Sequence, residues 1–94
     1  MELDIFAHRF EKLIRKNRLE NQFEFYLFGS FVKSQQYTDI DILIIYSDHE
    51  KLSKLRQIID DEFFDNLIHL TCLIKREEIE LDFINITNAR KLNL

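Results

Sequence analysis

At 94 residues, with no proline and one cysteine, the chain has the length of a single small domain, 1–94, able to bury a core with little stability to spare. A formal net charge of −4 gives no overall basic field to recruit nucleic acid, and the lone Cys72 excludes an internal disulfide, which suits a reducing cytoplasm. No apolar run approaches the ~18 residues needed to span a bilayer, and no signal peptide, repeat or linker is expected.

The region from Met1 to about Gln22 is predicted as a helix. Leu3, Phe6, Ala7, Phe10, Leu13 and Ile14 recur at the spacing of one apolar face. His8, Arg9, Lys12, Arg15 and Lys16 line the other side, as a solvated face or as a surface for phosphate or an acidic partner. Phe23 to Phe28 is rich in β-formers and predicts the first strand.

Gly29 is the only glycine in the chain. Placed directly after a strand, it predicts a turn that needs positive φ or a close backbone approach to a ligand. Gly29 to Ser34 is expected to form that turn and the start of a short helix. There Gly29 and the hydroxyl and N–H of Ser30 can meet a phosphate, and Lys33 can add charge. The alternative is a plain turn capped by Ser30, with Lys33 in solvent. Gln35 to Thr38 is a polar connector.

Asp39 to Tyr46 predicts a buried second strand, since Ile40, Ile42, Leu43, Ile44 and Ile45 leave little polar surface. Residues two apart on a strand point to one face, so Asp39 and Asp41 project together. Two adjacent carboxylates repel unless a cation neutralises them. Mg²⁺ does so readily, taking a few carboxylate oxygens and completing its shell with water and phosphate oxygens. The plain alternative is a strand that ends in solvent.

Ser47 to Asp65 is predicted as the second long helix, opened by a Ser47/Glu50 capping box and buried through Leu52, Leu55, Ile58, Ile59 and Phe63. Asp60, Asp61 and Glu62 read as a solvated charge run. Asn66 to Ile74 is expected to form the third strand, with Cys72 as a small buried apolar residue. Lys75 to Thr87 is expected to form one last helix that buries Ile79, Phe83 and Ile86. Asn88 to Leu94 is left as an edge strand or a frayed tail.

The stretch FGSFVKSQQYTDIDILIIY carries a resemblance. Gly29-Ser30, eight further residues and then Asp39-Ile40-Asp41 resemble the signature of the polymerase-beta-like nucleotidyltransferase superfamily, and most of all its minimal members. Gly29, Ser30, Lys33, Thr38, Asp39 and Asp41 match. The connector is shorter than usual in that family and lacks glycine. Catalytic members also carry a third carboxylate on the next strand, whereas NLIHLTCLI has none and offers His69 or Thr71 instead.

The resemblance implies an α/β (α+β) core with a small mixed sheet. It implies a Mg²⁺-dependent nucleotidyltransferase, with two ions, that moves a nucleoside monophosphate from ATP or another NTP to a hydroxyl. Asp39 and Asp41 would be the catalytic, metal-holding pair, and Gly29, Ser30 and Lys33 would hold phosphate. Short members are similar to the antitoxin halves of two-gene systems that pair with a helical protein of the HEPN class. A partner protein of that kind, or a homo-oligomer, is therefore expected, with the polar face of the first helix and the C-terminal tail as candidate contact surfaces. The missing third acid leaves a second reading: a catalytically weak or silent subunit that acts by binding a partner.

Overall fold

The computed structural model describes residues 3–29 and 39–94. Ser30, Lys33 and Thr38, with the expected turn, helix start and polar connector, lie outside the described residues.

The chain runs α1 (Leu3–Lys16), β1 (Glu24–Phe28), β2 (Asp39–Tyr46), α2 (His49–Glu62), β3 (Leu67–Ile74), α3 (Lys75–Leu81), α4 (Phe83–Thr87) and β4 (Arg90–Lys91). The strands form one mixed sheet in the order β3-β2-β1-β4. β1 is antiparallel to β2 and β4, while β2 and β3 are parallel. That parallel pair needs a crossover, and α2 supplies it. The small mixed α/β sheet expected from the sequence is thus present.

Alternation along the strands sorts side chains onto two layers. Phe25, Leu27, Ile40, Ile42 and Ile44 face α1 and α2 in the main core. Phe10 meets Phe25 edge-on with ring centroids 5.2 Å apart, and Phe6 lies 5.2 Å from Phe63. On the other face Tyr26, Leu43 and Ile45 pack with Phe28, Leu73, Phe83, Ile84 and Ala89. β2 is buried from both sides, and Ile42, Leu43 and Ile44 have no exposed surface.

Five expectations are corrected. α1 stops at Lys16, because Arg18 turns left-handed (φ 58°). Leu19 N–H then bonds Ile14 C=O at 3.0 Å and Arg18 N–H bonds Arg15 C=O at 3.1 Å, which closes the helix as a Schellman motif. The cap of α2 is Asp48, not the Ser47/Glu50 box: its carboxylate accepts from the N–H groups of Glu50 at 2.9 Å and Lys51 at 3.2 Å. α2 then ends at Glu62, with Phe63 as its C-cap. The last helix is two helices, broken at Asp82, which is left-handed at φ 52°. The break leaves Ile79 and Ile86 exposed and buries Glu78, whose Oε2 accepts from Ile84 N–H at 3.2 Å. Cys72 is half-buried against the main core rather than enclosed in it.

Other readings hold. Asp60, Asp61 and Glu62 are exposed, and so are His8, Lys12, Arg15 and Lys16 on α1. Arg9 instead lays its guanidinium over the Phe63 ring, 4.8 Å from the centroid. The tail becomes an edge strand, with Tyr26 opposite Lys91 and Leu27 opposite Arg90. No helix among the described residues is long and apolar enough to cross a membrane.

Candidate functional site

β2 enters the sheet through Asp39 and Asp41. Asp39 is exposed and Asp41 is partly covered. Both lie on the face that continues into Leu43 and Ile45, so two carboxylates end a row of apolar side chains. The register fixes their neighbours. Asp41 stands opposite Phe28 on β1 and opposite His69 on β3, and Asp39 stands opposite Leu67.

His69 therefore occupies the position facing Asp41, while Thr71 faces Leu43 one step further into the sheet. The His69 Nε2 lies 3.7 Å from Asp39 Oδ2, an ion pair whenever the imidazole is protonated. Both side chains are about half exposed (54% and 52%), so water screens this contact and its net contribution is small.

Gly29 closes the site from the β1 side. Its φ is +82°, a conformation open to glycine at little cost. A β-carbon built there would overlap the Oδ2 of Asp41 and would lie 3.1 Å from its Cγ and 3.3 Å from its Cβ. The glycine backbone is thus pressed against the carboxylate, and only a hydrogen leaves room for it. The structure sets Gly29 against Asp41, with Asp39 two residues away on the same face of β2, whereas Ser30 and Lys33 lie outside the described residues.

The neighbouring wall is aromatic. Phe28, opposite Asp41, packs edge-on against Phe83 with centroids 5.0 Å apart. Sequence reasoning used Phe83 only as core and gave Phe28 no part in the site. The signal available was its place directly before the glycine.

Two oxygen-donor carboxylates at a strand start suit a hard cation such as Mg²⁺. Among the described residues no three His, Cys, Asp or Glu side chains are gathered closely enough to hold a metal ion by themselves. A bound cation would draw the rest of its shell from water and substrate oxygens. A separate cavity of about 500 Å³ lies at the far end of β1, lined by Glu20, Glu24 and Lys91 among others, and contains none of these residues.

A family model described as a nucleotidyltransferase domain matches residues 9–92. No curated protein and no solved structure matches the chain. The matched span runs from α1 to just past β4 and includes Gly29, Asp39, Asp41 and His69.

Proposed function

Because the chain belongs to the nucleotidyltransferase domain family, we propose that it binds a nucleoside triphosphate, ATP in the first instance, together with Mg²⁺ and transfers the nucleoside monophosphate to a hydroxyl. The observation that carries this reading is the pairing of Asp39 and Asp41 on one face of β2, with Gly29 pressed against Asp41. Asp39 and Asp41 would hold the cation. When bound, Mg²⁺ supplies charge neutralisation to the phosphates and to the developing negative charge of transfer.

The chain's own groups have the simpler tasks. Asp39 and Asp41 give fixed oxygen donors on a buried strand, and Gly29 keeps bulk away from them. Ser30 and Lys33 are proposed to meet the phosphates. In the transfer, the acceptor oxygen bonds to the α-phosphorus, and the bond from that phosphorus to the oxygen bridging to the β-phosphate breaks. Pyrophosphate leaves with the electron pair, and the proton of the acceptor hydroxyl passes to solvent water. The acceptor hydroxyl is proposed to lie on a helical partner protein, as in antitoxin pairs.

A second reading has its own observation. The position facing Asp41 on β3 holds His69, not an acid, so this position offers no carboxylate to take the acceptor's proton. Loss of such assistance costs ~10²–10⁴ in rate. On this reading the domain binds nucleotide and partner with slow or no transfer.

Calorimetry of a non-hydrolysable ATP analogue, with and without Mg²⁺, tests the site. We expect Mg²⁺-dependent binding that weakens at least tenfold in Asp41→Asn while the circular dichroism spectrum is kept. Absence of binding in the wild type removes the nucleotide reading for this chain. Pyrophosphate release with Mg²⁺-ATP and candidate acceptor proteins then separates the active reading from the silent one.

A further inference from the structure

The two edges of the sheet are unlike. The β4 edge is two residues long, and both, Arg90 and Lys91, are charged and exposed. Short length and charge are the devices by which natural sheets blunt an edge. The β3 edge has neither device. It is eight residues, LIHLTCLI, with no proline, no lysine and no acid. Its inner side pairs with β2 along its whole length. Among the described residues, no backbone hydrogen bond joins its outer side to another segment. Leu67 is 54% exposed at its start, and Phe64, three residues earlier, is 84% exposed.

A bare, apolar edge of this length is a template for another strand. We propose that β3 pairs antiparallel with β3 of a second copy of this chain, so that two four-stranded sheets join into one across a two-fold axis. The strand's own sequence selects this occupant. A two-fold axis normal to the sheet keeps the helix-covered faces in line and pairs residues whose numbers share parity. With the axis at Leu70, Leu67 faces Leu73 of the second copy, Ile68 faces Cys72, and His69 faces Thr71. From Leu67 to Leu73 every apolar residue meets an apolar one, Ile74 falls opposite Asn66 at the rim, no like charges meet, and exposed Leu67 is covered. The contact surface is therefore β3, rather than the α1 face or the tail, which β4 already uses against β1. The inference is independent of nucleotide binding.

Sedimentation and light scattering on the full chain, at up to ~100 μM, test it without nucleotide, since interfaces of standard size span micromolar to picomolar affinity. The wild type is expected to run at twice the chain mass. Thr71→Lys sets a cation beside His69 of the second copy and should weaken the dimer at least tenfold, with the thermal transition checked for an intact fold. In Ile68→Cys the introduced thiol faces Cys72 of the second copy, close enough for an oxidant to form a covalent dimer. The same two positions within one chain are about 13 Å apart along the strand, too far to bond. A monomeric wild type overturns the proposal. So does a dimer that Thr71→Lys leaves intact, or one that Ile68→Cys, when folded, does not cross-link.

Discussion

Gly29 and Asp41 are fitted to each other: the backbone of the first lies where any side chain would displace the carboxylate of the second. The chain accepts left-handed backbone at Arg18, Asp82 and Asn88 without glycine, yet its one glycine stands here. At those three positions only φ is demanding. At Gly29 both φ and space are.

Gly29→Ala should therefore be damaged twice. A left-handed alanine costs ~1–2 kcal/mol, and the overlap with Asp41 adds to it. Urea unfolding should show a loss on the order of 2 kcal/mol or more. Mg²⁺-dependent nucleotide binding should fall further than stability alone explains, because Asp41 is pushed aside.

Arg18→Gly should act the other way. Arg18 closes α1 in the left-handed region, where its β-carbon is strained. Glycine relieves the strain but adds freedom to the unfolded chain, an opposing effect of ~0.4–1 kcal/mol. The net expectation is a gain of roughly 0.5 kcal/mol, read as a higher urea midpoint with an unchanged slope.

His69→Asp restores an acid opposite Asp41. In pyrophosphate release with Mg²⁺-ATP and a competent acceptor, the variant should exceed the wild type by ~10²-fold if the missing proton acceptor limits transfer. Three carboxylates without a cation repel, so the melting temperature of the variant should rise with added Mg²⁺ more steeply than that of the wild type.

Tyr26 gives the fold an alkaline limit. Burial first, then the hydrogen bond its hydroxyl donates to Glu24 at 2.9 Å and the charges of Glu24 and Glu78, push its pKa up to about 12 from 10.0. The unfolded chain loses this proton first, so unfolding becomes easier as pH rises through 10 and the loss is complete near 12. The penalty is roughly 3 kcal/mol at its full extent. Denaturation curves of wild type and Tyr26→Phe should run parallel below pH 10 and converge or cross above it.

Much of this was legible in periodicity. The stripe from Leu3 to Ile14, the buried run from Ile40 to Ile45 and the pairing of Asp39 with Asp41 each follow from spacing alone. The turn glycine was legible from its rarity. What the sequence left open depended on distant contacts. Ser47 and Asp48 are both good caps, and the folded chain uses Asp48, whose carboxylate accepts from the N–H groups of Glu50 and Lys51. Lys75 to Thr87 reads as one helix because no glycine or proline interrupts it, yet packing of Phe83 and Ile84 on the sheet turns the chain at Asp82. Whether His69 or Thr71 faces Asp41 is a matter of register, which the pairing with β2 decides.

The central place of β2 has a kinetic consequence. It is paired on both sides from Asp41 to Ile45, while β4 holds to β1 by a two-residue ladder and the Leu92 N–H bond to Phe25 C=O, contacts that close a loop of more than sixty residues. Amide hydrogen exchange should therefore be graded across the sheet, slowest at Ile42 to Ile44 and fastest at Arg90 and Lys91. Asp41 rides on the slow strand. Its carboxylate therefore keeps its station through the local openings that release the chain's last strand.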